Sequence, residues 1–373
     1  MRLLHTADWH LGLELHGLSL LEHQKTMIRS VADLAEQEKA DALLLSGDVF
    51  DRVQAPPEAI ALYDEAMALF LNDLRIPVYL IAGNHDAAPR LGSLKSVLQR
   101  LHFHVAGRLD PFAAPILTDD CAFYLLPHFG TEEARYYFPD RELPGFAAAM
   151  EMVLNEMRRN FSGSRKNILL AHCFAAGGTA AGSDRSAQVG GSARVPVTAF
   201  EGFDYVALGH LHGPQTLSGF VRYAGSPLPY SFAECGQEKS CTLLDTDTME
   251  IRILPLPAPY TLLEKSGEAE QLIAYAEQNA GSDTYYSLNL TDKSVDYAIE
   301  RRLRSLLPNL LLLRGRAPKL QGGAALEPEA LNALSPMALL QKYMEDVEME
   351  PLDEEQQKWF QQAMEGGEQN AST

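Results

Sequence analysis

Residues 205–214 read YVALGHLHGP, an apolar run that passes through Gly209 into two histidines, His210 and His212. In a strand, side chains at i and i+2 leave the same face, so both imidazoles are expected to enter one pocket. The same succession of apolar run and metal-capable side chains recurs upstream. RLLHTADWH (2–10) ends in Asp8 and His10, DALLLSGDVFD (41–51) in Asp48 and Asp51, VYLIAGNHD (78–86) in Asn84, His85 and Asp86, and NILLAH (167–172) in His172. A further run, CAFYLLPH (121–128), has the same character. Short apolar runs of this kind are expected of strands buried on both faces.

Amphipathic stretches separate the runs. His23 to Ala40 places Met27, Val31, Leu34 and Ala35 at helical spacing, and residues 57–74 and 146–159 also read as helices. Strand and helix in alternation imply an α/β architecture, in which ligands gather at the carboxyl ends of strands. Residues 217–254 are turn-rich and suggest hairpins that close a sheet. A proline-rich break, PLPAPY (255–260), precedes a compact strand and helix pattern over 260–314 that reads as a small α+β domain. A Gly/Pro/Ala-rich linker follows, and then two helix-like pieces, PMALLQKYMEDV and DEEQQKWFQQAME. The expected boundaries are a large domain at 1–256, a small domain at 257–315, a linker at 316–335 and a helical tail at 336–373.

At 373 residues the chain is long enough for one large domain with smaller additions, and its 46% hydrophobic share supplies a sizeable core. The cysteines, Cys121, Cys173, Cys235 and Cys241, form no CxxC pair and read as reduced thiols. The opening MRLLHTADWH does not resemble a signal peptide, and no apolar run approaches the roughly 20 residues of a membrane span. A cytoplasmic location is expected. The net charge of −19 weighs against independent binding to a polyanion.

Seven side chains at the five strand ends are candidate ligands: Asp8, His10, Asp48, Asn84, His172, His210 and His212. One ion with an open position cannot use seven donors. Two ions about 3.5–4 Å apart can, if a carboxylate bridges them, and that arrangement suits in-line attack on phosphorus. Asp48, in the turn after Gly47, is the best candidate for the bridge. A mixed oxygen and nitrogen set without thiolate favours manganese, leaves zinc or iron open, and does not suit calcium.

The five motifs in this order, DxH, GDxxD, GNHD, AH and GHxH, resemble those of the calcineurin-like metallophosphoesterases. That resemblance implies an α/β fold, a β-sandwich flanked by helices. Within the superfamily, HTADWHLG, GDVFDR, AGNHD and GHLH resemble the double-strand-break repair nucleases, whose chains add a small α+β capping domain and a C-terminal helical tail. By this resemblance one ion takes Asp8, His10, Asp48 and His212, and the other takes Asp48, Asn84, His172 and His210. His85 is then the catalytic histidine, a source of the proton for the leaving sugar oxygen. Asp51 is its expected orienting partner, with Asp86 as the rival. The protein Ser/Thr phosphatases of the superfamily resemble GDxHG and GNHE instead, although Arg52 falls where they hold a phosphate-binding arginine.

The resemblance further implies an ATP-dependent 3′→5′ double-strand exonuclease and a single-strand and hairpin endonuclease, serving DNA repair, recombination and replication. It implies two manganese ions per chain and a homodimer, built through helices of the large domain, inside a heterotetramer. ATP enters only through a coiled-coil ATPase partner, since this chain has no GxxxxGK[ST] loop. That partner would dock on residues 336–373, where Leu339, Leu340, Tyr343, Met344, Val347, Trp359, Phe360 and Met364 offer apolar surface. Arg90, Lys95, Arg100, Arg301, Arg302 and Arg304 are either DNA contacts or solvated helix charges. Two other readings stay open: a small-molecule phosphodiesterase or phosphatase, and a non-catalytic scaffold subunit of an ATPase complex.

Overall fold

The computed structural model describes residues 1–161, 163–180, 194–316, 335–346 and 356–360. Nearly all of the expected linker, and Val347 and Met364 of the tail, lie outside the described residues.

Strand β1 (Arg2–Thr6) leads through a small hairpin, β2 (Glu14–Leu15) and β3 (Leu18–Ser19), into helix α1 (Leu21–Gln37). Next come β4 (Ala42–Ser46), α2 (Pro57–Ala68) and β5 (Val78–Ile81). Two short helices, α3 (Ala88–Leu91) and α4 (Lys95–Leu98), precede β6 (Phe103–Ala106). The chain continues with β7 (Ile116–Leu117), β8 (Cys121–Leu126), α5 (Thr131–Tyr137) and α6 (Phe146–Arg158). The remaining strands of this part are β9 (Lys166–His172), β10 (Tyr205–Gly209), β11 (Gln215–Ser218), β12 (Val221–Tyr223), β13 (Ser240–Asp245) and β14 (Glu250–Pro255).

These strands form two six-stranded sheets, β14-β13-β1-β4-β5-β6 and β11-β12-β10-β9-β8-β7. In the first, β1, β4, β5 and β6 are mutually parallel; in the second, β8, β9, β10 and β12 are. The hairpin expected over 217–254 is present as the antiparallel pair β13 and β14. Alternate residues of each strand enter different layers. Leu3, Leu44, Tyr79 and Ile81 meet Phe123, Ile168, Leu170 and Tyr205 in one buried cluster between the sheets. Leu4, Leu43 and Leu45 point the other way, onto Met27, Val31 and Ala35 of α1 and Leu62 and Ala66 of α2. Leu169, Val206 and Leu208 face Met150, Val153 and Leu154 of α6. The outcome is a β-sandwich flanked by helices, and the double burial explains why the strand sequences are almost wholly apolar.

Helix α2 starts at Pro57, where a missing N–H does no harm, and runs on as a π-helical turn over Leu69–Asp73. Among the described residues no helix is long and apolar enough to cross a membrane.

The chain divides into two compact units. The first holds Met1–Glu264 with Gly281–Ser287 and Asn309–Leu312, and the second takes Lys265–Ala280, Leu288–Pro308 and the described residues from Leu313 onward. Strands β15 (Leu262–Gly267), β16 (Tyr285–Leu290) and β17 (Leu310–Arg314) make a three-stranded sheet in that order. Helix α7 (Ala269–Gln278) opens with a reciprocal cap between Glu268 and Gln271, and α8 (Tyr297–Leu306) is capped by the Asp296 carboxylate on the Ile299 amide. On their surfaces Arg302 pairs with Glu277 and Arg304 with Glu300. A helix spans Pro336–Asp346.

Candidate metal centre

All seven candidate ligands lie at or just beyond the carboxyl ends of β1, β4, β5, β9 and β10, central strands of the two sheets. Because these strands are parallel within each sheet, their ends open on one side and distant residues converge. The loops are zipped together by main-chain hydrogen bonds: Asp8 N to Gly47 O and His10 N to Asp48 O, both 3.0 Å, and Leu11 N to Val49 O, 2.8 Å.

The expectation that His210 and His212 share a strand face is corrected by this geometry. Strand β10 stops at Gly209, and His210 lies in the loop beyond it with φ of 104°. Asp8 and His10 likewise follow the end of β1. Their φ values of 54° and 44°, with 48° at Asp48, place all three in the left-handed region that non-glycine residues seldom adopt. Turn strain, rather than strand alternation, aims these side chains, and strain of this kind is concentrated at functional sites.

Two glycines allow the close approach. A Cβ on Gly209 would lie 1.9 Å from the Ser46 carbonyl oxygen, where the two sheets nearly touch. One on Gly83 would lie 2.1 Å from Oδ1 of Asp48.

The donors fall into two overlapping groups. His10 Nε2 is 3.1 Å from His212 Nε2 and 3.8 Å from Asp48 Oδ2. On the other side Asn84 Oδ1 is 3.0 Å from both His172 Nε2 and His210 Nδ1, and His172 Nε2 is 3.3 Å from Asp48 Oδ2. Asp48 therefore stands between the groups. Ligand-capable atoms of Asp8, His10 and Asp48, and those of Asp48, His172 and His210, each gather within 4.8 Å of one another.

Taking these groups out of water shifts their protonation. Burial raises the Asp8 carboxyl to about 7, against the opposing pull of His172. Burial holds His10 well below the usual imidazole range, and burial with the charge on His172 takes His210 down to about 3. His172 goes the other way: burial would lower it, but Asp48, then Asp8 and the Ser46 carbonyl, raise it to about 9. Asp48, though also buried, is held well below its ordinary value by the charge and hydrogen bond of His172. Two buried polar atoms here, Asp8 Oδ2 and His10 Nδ1, make no hydrogen bond. A buried carboxylate oxygen without a donor, near the His10 and His210 imidazoles that burial keeps neutral, is what a bound cation would correct, so the residues fit divalent metal.

A family model described as calcineurin-like phosphoesterase matches residues 1–214. The chain belongs to the calcineurin-like phosphoesterase family. A second model, described as a type 5 capsule protein repressor C-terminal domain, matches residues 259–348. This phosphoesterase is 31% identical over 317 residues to the SbcD chain of the SbcCD nuclease of Staphylococcus epidermidis, covering 84% of this chain and 85% of the relative. It is 29% identical over 316 residues to the protein of the same name from Staphylococcus saprophyticus, covering 84% of each. Among solved structures, TT1561 of Thermus thermophilus aligns at 11% identity with a TM-score of 0.40, over 69% of this chain and 99% of that one. Within its family the phosphoesterase is thus a nuclease subunit of the SbcD type and a metal-dependent hydrolase.

The histidine beside the metal groups has an unexpected partner. His85 donates from Nδ1 to the main-chain carbonyl of Asp51 at 2.7 Å, and its amide donates to Asp48 Oδ1 at 2.9 Å. The Asp51 carboxylate instead lies 3.8 Å from His10 Nδ1 and 3.7 Å from Arg52 Nε. Asp86 is occupied elsewhere: its carboxylate accepts from the amides of Val49 at 3.2 Å, Phe50 at 2.9 Å and Gly83 at 2.9 Å. It pins the loop after β4 to the loop after β5, and with it the positions of Asp48 and Asn84.

Sequence reasoning missed several contributors. Ser46 lends its carbonyl to His172 Nδ1 at 2.9 Å, and Gln24 donates to the His10 carbonyl at 2.7 Å while accepting from the Gly12 amide. Glu234 Oε1 sits 3.2 Å from His212 Nδ1, and Lys239 pairs with its other oxygen at 2.5 Å. Burial alone would raise Glu234, but His212 and Lys239 hold it well below the usual carboxylate range.

Proposed function

We propose that the chain is the nuclease subunit of a DNA-processing complex, cleaving phosphodiester bonds with two divalent ions, manganese by the donor chemistry. One ion would be held by Asp8, His10, Asp48 and His212, and the other by Asp48, Asn84, His172 and His210. The observation that carries the reading is the meeting of these seven donors in one largely buried cluster, with Asp48 Oδ2 within 4 Å of His10 on one side and His172 on the other. When bound, such ions supply positive charge to the phosphoryl oxygens and acidify water.

The chain's own residues do the rest. Asp86 and Gln24 hold the ligand loops rigid, and strained turns aim the side chains before substrate arrives. His85, oriented through Nδ1 by the Asp51 carbonyl, keeps Nε2 for the proton that the leaving sugar oxygen requires.

In this reading, residues 1–256 form the nuclease domain, 257–315 a capping domain, and 336–373, beyond the 316–335 linker, a docking segment. The partner is an SbcC-type coiled-coil ATPase, which supplies ATP dependence and much of the DNA contact that a chain of charge −19 lacks. With it the nuclease degrades duplex ends 3′→5′ and cuts single strands and hairpins, in the cytoplasm. A homodimer is supported by an apolar face near α2 to α4. There Val53, Leu94, Val97 and Leu101 are exposed beside a cavity of about 410 Å³ lined by Phe50, Tyr63 and Met67.

The test is purified protein with manganese on end-labelled duplex, hairpin and single-stranded DNA, with and without the partner and ATP. Cleavage that chelation abolishes is expected. Hydrolysis confined to nitrophenyl phosphates or nucleotides, with all DNA intact even beside the partner, would overturn the reading.

A further inference from the structure

We propose that Glu234 is a positioning residue for His212, fixing which ring nitrogen faces the metal centre, with Lys239 as its buried counter-charge. The inference rests on the two-ion reading above and names a residue that reading does not use.

Glu234 closes a short turn over Phe232–Glu234, and both it and Lys239 are buried. A neutral imidazole carries one N–H, and a carboxylate can only accept. With Glu234 Oε1 3.2 Å from His212 Nδ1, the proton is placed on Nδ1 and the lone pair on Nε2. That Nε2 is the atom 3.1 Å from His10 Nε2, on the side where the first ion would sit.

Lys239 secures the arrangement from two directions. Its ammonium donates to Glu234 Oε2 at 2.5 Å and to the main-chain carbonyl of His212 itself at 3.1 Å. Ser226 Oγ at 2.9 Å and Gln237 Oε1 at 3.1 Å also lie within reach of its three N–H donors. The side chain and the backbone of one histidine are thereby tied to a single ion pair, and rotation of the ring would break its bond to Glu234.

The other candidate histidines are held differently. His172 Nδ1 meets a main-chain carbonyl, and His210 turns Nδ1 toward Asn84. His10 Nδ1 lies 3.8 Å from the nearest Asp51 oxygen, beyond hydrogen-bond reach. A carboxylate behind a ligating imidazole fixes its tautomer and increases its basicity, and losing one typically weakens metal affinity by about 10–100-fold. The effect belongs to His212, so it should fall on one of the two ions.

The test uses the full chain with selectively ¹⁵N-labelled histidine, as wild type, Glu234→Ala and Glu234→Asp. In metal-free protein the His212 signal should show the Nδ1–H tautomer in wild type, a mixture in E234A, and a return toward Nδ1–H in E234D. Manganese titration by calorimetry should show one site weakened about 10–100-fold in E234A and the other unchanged. An Nε2–H tautomer in wild type, or equal weakening of both sites at an unchanged metal-free melting temperature, would overturn the proposal. If wild type binds fewer than two ions, the two-ion reading fails, and the metal-free tautomer still decides the role of Glu234.

Discussion

His85 is held by the main chain of Asp51 and not by its carboxylate, with Nδ1 donating to the carbonyl oxygen at 2.7 Å. Substituting the Asp51 side chain therefore leaves the orienting acceptor in place. Asp51→Asn should lower kcat on DNA by less than about tenfold. His85→Ala, which removes a group suited to general acid catalysis, should cost about 10²–10⁴-fold while metal content stays at the wild-type level. Single-turnover cleavage beside elemental analysis checks both. Loss of metal in H85A would make His85 a ligand, and an Asp51→Asn defect as deep as that of H85A would return the role to the carboxylate.

The division of the histidines between two groups predicts separable metal loss. His210 and His172 share Asn84 Oδ1, whereas His212 faces His10. His210→Ala and His212→Ala should each retain one manganese per chain after desalting, and the double variant should retain none. A double variant that still holds one ion would show that both histidines serve the same site.

The protonation of His172 makes metal uptake pH-dependent. Its Nδ1 lies 2.9 Å from the Ser46 carbonyl and its Nε2 3.0 Å from Asn84 Oδ1, two acceptors that require two N–H donors. Asp48 and Asp8 accordingly raise its pKa to about 9 despite burial. An ion ligated by Nε2 must displace that proton, so below pH 9 binding releases it, and affinity rises with pH. Between about pH 7 and 8 the manganese affinity should gain about tenfold per unit for this one proton, and the slope should steepen below pH 7, where the Asp8 carboxyl is protonated as well. Calorimetry in buffers of different ionisation enthalpy measures the release; a count of zero near pH 7 would refute the protonated His172.

The convergence of the seven candidate donors was readable in the sequence because parallel strands put their carboxyl ends on one side, so a metal-capable residue after an apolar run declares its own position. The strands themselves were readable for a related reason: Leu43, Leu44 and Leu45 are all buried, but in alternate layers, and a strand covered on both faces demands such a run. The aim of the side chains was not readable, since it depends on positive φ at Asp8, His10, Asp48 and His210, which the modest preference of Asp and His for that region is too weak to assign. Glu234 escaped for another reason. FAECGQEK carries no motif spacing, and its approach to His212 depends on tertiary packing across 22 residues of chain. Asp86 stands next to His85 in sequence, yet its carboxylate is committed to three amides that become neighbours only in the folded loops.

The same close packing makes Gly83 a sensitive position of the site. A methyl group there would meet Asp48 Oδ1 at 2.1 Å and the Asp48 amide nitrogen at 2.4 Å, and neither belongs to a flexible side-chain end. Asp48 cannot retreat freely, because Oδ1 accepts from the His85 amide and its backbone is tied to His10. Gly83→Ala should therefore push Asp48 off the shared position, with both ions lost together and the metal-free fold weakened by about 1–3 kcal/mol through overpacking. Elemental analysis and metal-free melting curves test the two effects separately. Asp48→Asn, which leaves the packing intact, should reproduce the metal loss without the full stability loss. If G83A keeps two ions and wild-type cleavage, the loop after β5 yields more easily than these contacts allow, and Asp48 is not held between the two groups by Gly83.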